Sequence, residues 1–318
     1  MRVVEYDRFG GPEELKVRER TRPVPGRGQV LVRVEASALN PKDIMLRSGK
    51  FRILSGARFP RRSGFDWSGE VVQVGSEVRD VLVGARLFGM LDGYQGGACA
   101  EYLVSDVACC AAAPESISLL EASGIPLAAL TALQAYRNIA RLEAGQRVLV
   151  NGASGGVGTL AVQLGRALGA EVDATTSDKN RELVSGLGAR QVYDYRTLDL
   201  RTHSKRYDVV FDVYGNLPFD VVRHALTTLG VQITTVPSVR HGLVIAKTLL
   251  RPQRLHLVRV KARQSDLCFI AGLVDRGQLR PVVDSVFPLD RIGDAYRQLA
   301  TKRARGKILI QIGEAHAR

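Results

Sequence analysis

The segment VLVNGASGGVGTLAVQL, residues 148–164, constrains this chain more than any other. Its opening run of Val and Leu, with no polar alternation, reads as a strand buried on both faces. The chain then enters a glycine-rich turn and leaves it directly as a helix. A unit of this kind belongs in a parallel sheet, because successive parallel strands need a crossover between them. The pattern repeats downstream. AEVDATTS and KNRELVSGLG form a second strand and helix, and QVYDY, YDVVFDV, FDVVRHALTTLG and VQITTV continue the alternation. An α/β fold with a parallel sheet is therefore expected from about residue 121 to 263.

Residues 1–120 have a different texture. QVLVRVEASAL and GEVVQVGSEV alternate in the β manner, and RPVPGRGQ and GYQGGA read as loops. A compact, mostly β, barrel-like domain fits this pattern. LLEASGIPLAALTALQAYRNIA is helical, with Pro126 near a helix boundary. After LHLVRVKA the strand–helix alternation stops. The tail from 264 holds two helices and two strands that extend no βαβ series, and it is expected to complete the first domain. At 318 residues the chain is long enough for two cores.

The turn itself carries chemistry. Ala153-Ser154-Gly155-Gly156-Val157-Gly158 follows a dinucleotide fingerprint with Ala in place of the first glycine. Gly155 allows the backbone to approach a pyrophosphate, and Gly158 allows close packing of helix on strand. The helix N-terminus offers free N–H groups to the anion. About twenty residues on, an NAD-preferring site presents Asp or Glu to the ribose 2′-hydroxyl. Here Thr175, Thr176 and Ser177 occupy the strand tip, followed by Lys179 and Arg181, and this set suits the 2′-phosphate of NADPH. Asp178 is the one acid nearby, and it reads as an outward-facing or capping residue.

Charge and cysteine content narrow the function classes. The net charge is +13, with basic residues scattered rather than blocked; the nearest thing to a run is TKRARGK at 301–307. A solvated surface explains it, and so does attraction of an anionic ligand such as a dinucleotide, coenzyme A or an acidic carrier protein. No cluster of basic and aromatic residues marks a nucleic-acid module. No apolar run reaches about 18 residues, so no membrane span is expected. No cleavable leader is visible, and the four cysteines lack CxxC spacing, so a cytoplasmic protein with reduced thiols is expected.

ALNPKD…RSG, GFDWSGEVVQVG, GGACAEY, PLAALTALQAY, GQRVLVNGASGGVG, LGA…VYDY, YDVVFDVYGN and the closing GKILIQI occur in an order that resembles the medium-chain dehydrogenase/reductase superfamily over almost the whole chain. The zinc-independent quinone oxidoreductase-like branch is the most similar. The resemblance implies a doubly wound Rossmann domain at 121–263 and a discontinuous GroES-like, mostly β catalytic domain at 1–120 and 264–318. It also implies a homodimer acting on a small electrophilic substrate, free or bound to coenzyme A or a carrier protein.

Zinc members of that superfamily place Cys where this chain has Asn40, and Gly-His-Glu where it has Gly64-Phe65-Asp66. Catalytic zinc takes three Cys, His or carboxylate donors. With an amide and a phenyl ring at two of those positions, no metal is expected. Hydride transfer to an enone, enoyl thioester or quinone needs orientation and hydrogen-bond donors more than it needs a Lewis acid.

By resemblance, Asn40 approaches the nicotinamide and acceptor, and Thr131 approaches the nicotinamide. Ser177, Lys179 and Tyr195 gather around the 2′-phosphate, and Val213, Tyr214 and Gly215 meet the cofactor ribose. Asn40 before Pro41 also reads as a turn cap, Thr131 as a helix hydroxyl bonded to its own backbone, and Tyr195 as a strand-end tyrosine. Many relatives carry Tyr five residues after the Asn, a proton donor; this chain has Met45. The donor is left open among Lys42, water and the ribose 2′-hydroxyl. A trans-acting enoyl reductase and a non-redox, NADPH-binding scaffold, sensor or cyclisation fold stand as alternatives.

Overall fold

The structure, a computed structural model, describes residues 1–313. It divides into two compact units. One comprises Met1–Leu127, Lys261–Gly277 and the described chain from Pro281 onward; the other comprises Ala128–Val260 with Gln278–Arg280.

The second unit is built on six parallel strands: Arg147–Asn151, Glu171–Thr176, Gln191–Asp194, Tyr207–Asp212, Leu226–Thr234 and Arg254–Leu257. Counted along the chain, their spatial order is 3-2-1-4-5-6, the doubly wound Rossmann order. The order reverses at the first strand, which has the second strand on one side and the fourth on the other. Val148, Leu149 and Val150 of that strand are fully buried. Each contributes about 1.5–3 kcal/mol through the apolar area it removes from water. The helix Gly156–Ala167 packs its residues 158–165 into the core.

One element differs from the sequence pattern. FDVVRHALTTLG reads as a single helix, but the helix is Phe219–Ala225 and a strand begins at Leu226. Thr227, Thr228 and Gly230 are weak helix formers, and residues 227–230 form an irregularity in the pairing of Leu226–Thr234 with Tyr207–Asp212.

In the first unit the central strand is Gln29–Ala38. It pairs with Asp66–Val74, with Tyr102–Asp106 and with Lys307–Gln311, all antiparallel. Val30, Val32, Trp67, Val71, Ile308 and Ile310 form part of its core. A smaller sheet joins Lys16–Glu19, Arg2–Tyr6 and Arg61–Arg62.

The division between the units falls after Leu127 rather than at 120. The helix Leu119–Ser123 is tied to the first unit: Ser68 Oγ donates to Leu119 O at 2.5 Å, and Leu127 N–H donates to Asp66 Oδ1 at 2.7 Å. Gln278–Arg280 joins the second unit because Gln163, on the helix Gly156–Ala167, exchanges two 2.9 Å hydrogen bonds with the Arg280 backbone.

Candidate functional site

The glycine loop of the second unit is shaped by two close approaches. Gly152 holds φ at +83°, in the left-handed region that a side chain disfavours. A Cβ on Gly158 would lie 2.2 Å from Gly152 O and 2.7 Å from Ala153 Cα, so the helix can cross the strand here only with glycine. A Cβ on Gly155, by contrast, would meet only Gly152 O at 3.6 Å, which leaves this stretch of backbone open to approach. Gly155 is the N-cap of the helix Gly156–Ala167, and no side chain caps it. Its first N–H groups and positive dipole end are therefore available to an anion. The fingerprint has Ala153 in place of its first glycine, and the positive φ of the turn falls one residue earlier, on Gly152.

A buried polar network sets the loops around this turn. Asn151 Nδ2 donates to Asp212 Oδ1 at 2.7 Å and to Asn216 Oδ1 at 2.8 Å, and Thr175 Oγ1 donates to Asn151 Oδ1 at 2.6 Å. Asp212 also accepts from Gly215 N–H at 2.8 Å and Leu217 N–H at 2.9 Å. Burial raises the Asp212 carboxyl above its ordinary range, and these donors pull against that rise. The network ties together the ends of the second, first and fourth strands. That is the point where strand order reverses, and where open α/β sheets take ligands. Val213, Tyr214 and Gly215 follow from it: Val213 N–H donates to Asn151 O at 3.1 Å, and Thr235 Oγ1 donates to Val213 O at 2.8 Å.

Ser154 accepts from Thr176 Oγ1 at 2.9 Å and from Asn180 Nδ2 at 3.1 Å, so the glycine loop is tied to the tip of the second strand. Ser177 begins the turn that follows, with Lys179 exposed on it. Tyr195, also exposed, lies just past the third strand, and its N–H donates to Thr176 O at 3.2 Å. Ser177, Lys179 and Tyr195 thus share one edge of the sheet. Asp178 is paired with Arg181 at 3.1 Å, and Asp194, opposite Thr176, is paired with Arg196, so each of these acids is already matched. Thr131 is buried on the helix Pro126–Gln134 in the same unit.

In the first unit, strand register brings together residues far apart in sequence. Leu309 lies opposite Ala38, which places Lys307 opposite position 40, and Ala38 lies opposite Asp66. Lys307 Nζ donates to Asn40 Oδ1 at 2.6 Å and to Asp66 Oδ2 at 3.1 Å. Asn40 Nδ2 donates to Asp66 Oδ2 at 3.0 Å and to Ala38 O at 3.3 Å. Only this amide orientation works, since a flip would set N–H against ammonium and oxygen against carboxylate. Asn40, Asp66 and Lys307 are each no more than 4% exposed. The Asn40 amide, expected to face an acceptor, has both of its N–H groups engaged inside this cluster.

Asn40 is also the N-cap of the helix Pro41–Arg47. Its N–H donates to Asp43 Oδ2 at 2.8 Å, and Asp43 Oδ1 accepts from Gly64 N–H at 3.1 Å. Burial pushes the Asp43 carboxyl up to about 6. Lys42, the second residue of that helix, is half-buried with Nζ 3.8 Å from the centroid of Phe65. Burial lowers its pKa, and the charges of Asp43, Asp92 and Asp66 oppose that fall. Met45 lies on the same helix, partly buried. Where zinc dehydrogenases use a thiolate and an imidazole, this unit has an amide and a phenyl ring, each touched by an ammonium. Among the described residues, no group of three or more His, Cys, Asp and Glu side chains could hold a metal ion. Among them, too, no helix is long and apolar enough to cross a membrane.

A Rossmann sheet with an open glycine loop at its switch point, in a chain that also carries a separate β unit, defines a dinucleotide-binding class of protein. An alcohol dehydrogenase GroES-like domain model matches residues 26–125, and a zinc-binding dehydrogenase model matches residues 187–310. A chloroplastic quinone oxidoreductase of Triphysaria versicolor is 35% identical over 323 residues, covering 98% of each chain. A chloroplastic NADPH-dependent alkenal/one oxidoreductase of Arabidopsis thaliana is 33% identical over 326 residues, covering 98% of this chain and 79% of that one. The solved quinone oxidoreductase of Coxiella burnetii has a TM-score of 0.90 at 31% identity, covering 98% of this chain and 99% of its own. The chain belongs to the medium-chain dehydrogenase/reductase superfamily of nicotinamide-dependent oxidoreductases, with quinone oxidoreductases among its relatives.

Proposed function

We propose that the chain is an NADPH-dependent reductase of activated carbon–carbon double bonds or quinones, working without zinc. The observation that carries this reading is the exchange of thiolate and imidazole for an amide, a phenyl ring and two ammonium groups, Lys42 and Lys307. The Lys42 ammonium favours negative charge developing on an acceptor oxygen, while that of Lys307 is matched by Asp66. The same positions offer no thiolate–imidazole pair to hold a metal that would acidify an alcohol hydroxyl. The names of the relatives support the same direction, toward quinones and alkenals or alkenones.

The second unit fits the cofactor. Gly158 and Gly155 keep the loop clear, the helix N-terminus is uncapped, and Ser177, Lys179 and Tyr195 offer hydroxyls and a cation suited to a 2′-phosphate. When bound, NADPH supplies the hydride. The protein must then provide one proton, so that the acceptor gains the equivalent of two hydrogens. Lys42 is the donor we assign: half-buried, lowered in pKa, and without a hydrogen bond to occupy its ammonium among the described residues.

The test is steady-state turnover. NADPH is expected to be consumed with enones or quinones and NADH far more slowly, with no oxidation of simple alcohols by NADP+. A panel of enones, quinones and enoyl thioesters without turnover would remove the reading. A salt-sensitive preference for thioesters on coenzyme A or a carrier protein would assign the +13 charge to an anionic substrate carrier.

We also infer a cytoplasmic homodimer. The four cysteines are unpaired thiols, as a reducing compartment maintains them. Val239, Leu243, Leu249 and Leu250 on and after the helix Val239–Thr248 are exposed apolar side chains that a second copy would cover. Sedimentation is expected to give twice the chain mass; a single-chain mass would contradict the dimer.

A further inference from the structure

We propose that Lys307 is a positioning residue that holds Lys42 over Phe65, acting through Asn40 and Asp66. The inference rests on the reading of Lys42 as proton donor and adds a residue to it from the far end of the chain.

The contact to be explained is the 3.8 Å placement of Lys42 Nζ over the Phe65 ring. One side of it hangs from Asn40, which starts the helix carrying Lys42 two residues later. The other side hangs from Asp66, the residue immediately after Phe65. Lys307 Nζ is bonded to both, at 2.6 Å to Asn40 Oδ1 and 3.1 Å to Asp66 Oδ2. Asn40 Nδ2 closes the triangle at 3.0 Å to Asp66 Oδ2. Asp66 is further pinned through Oδ1 by Leu127 N–H.

With all three groups buried, water cannot substitute for a lost bond, and the amide has one satisfied orientation. An isolated buried ion pair is often replaceable by apolar side chains at no loss of stability. This pair differs because it also orients an amide that caps the working helix. Charge runs along the same path. Lys42 faces the acids Asp43, Asp92 and Asp66, and Lys307 is the counter-ion of the last. Without Lys307, the carboxylate at 66 loses the ammonium that fixes its position. Lys42 then loses the fixed placement of one of its three supporting charges and gives up its proton at lower pH.

The experiment is a double-mutant cycle in the full chain with NADPH and an enone, using Lys42→Met and both Lys307→Met and Lys307→Arg. NADPH affinity and the melting temperature are followed beside the rate. Lys307→Met is expected to lower kcat/KM about 10- to 100-fold, the scale of a misplaced reacting group. NADPH affinity should stay within about twofold, and the alkaline limb of the pH profile should move down. Lys307→Arg keeps the charge but not the geometry; its expected loss is smaller, with the alkaline limb near that of the native protein. In the Lys42→Met background either Lys307 change should cost less than about twofold more. Losses that multiply independently, or a native profile for Lys307→Met, would overturn the proposal.

A readout without turnover separates the two readings. Reductive 13C-methylation of lysines reports the Lys42 ammonium by NMR, assigned by its disappearance in Lys42→Met. Its titration is expected to move to lower pH in Lys307→Met. If Lys307→Met does not fold, Lys307→Arg is expected to change the Lys42 chemical shift at neutral pH. An unmoved Lys42 resonance overturns the brace. A Lys42→Met enzyme as fast as the native one, with the resonance still moved by Lys307, overturns the proton-donor reading alone.

Discussion

Replacing Lys42 with Met lowers kcat/KM for an enone by about 10²- to 10⁴-fold, the usual contribution of a positioned general acid. The expected loss falls on the rate rather than on cofactor affinity, because Lys42 belongs to the first unit and the glycine loop to the second. Met keeps the length and the apolar contact with Phe65 while removing the ammonium, so the fold should survive. The sign of the pH effect follows from the direction of the shift. Burial lowers the Lys42 pKa, so the protonated, proton-giving form is lost as pH rises through that lowered value. Activity should therefore fall on the alkaline side in the native protein, and Lys42→Met should lack that limb. A variant with unchanged rate and limb would assign the proton to water or the cofactor ribose.

Gly158→Val is expected to raise the Kd for NADPH by about two orders of magnitude or abolish binding, with a lower melting temperature. A Cβ alone would lie 2.2 Å from a backbone oxygen, where nothing flexible can yield, so helix and strand must separate. Overpacking of this kind costs about 1–3 kcal/mol or more, and 1.4 kcal/mol is tenfold in affinity. Gly155→Ala is the informative companion. Its Cβ has room in the free protein, at 3.6 Å from Gly152 O, so the melting temperature should hold while affinity falls. Fluorescence titration with NADPH and thermal melting separate the two. Equal melting losses in both variants would contradict the role given to Gly155.

Much of the second unit is legible in its sequence because each parallel strand is a short apolar run and each crossover a helix with its own spacing. Arg147–Asn151 and Gly156–Ala167 fall where VLVNGASGGVGTLAVQL places them. The turn residue was harder to read. A fingerprint fixes spacing, whereas the need for a positive φ at Gly152 comes from how the strand end must swing into the helix. Asp212 passes for one more strand residue, and only the pairing of the first and fourth strands makes it the anchor of the turns that follow them. Lys307 is the extreme case. It stands 267 positions from Asn40 with no motif spacing to link them, and only the antiparallel register brings the two together. Lys42 is visible as a candidate, but its perturbation comes from burial, opposed by Asp43, Asp92 and Asp66, which no local pattern reports.

The central claim is hydride delivery to an electrophilic carbon with the proton supplied separately by the protein. It is tested most directly by turning over an enone with NADPH deuterated at the transferring carbon, in ordinary water. The account predicts one deuterium at the β-carbon of the saturated product and a solvent-derived hydrogen at the α-carbon. Tight NADPH binding with no deuterium in any product, from enones or quinones alike, would contradict it.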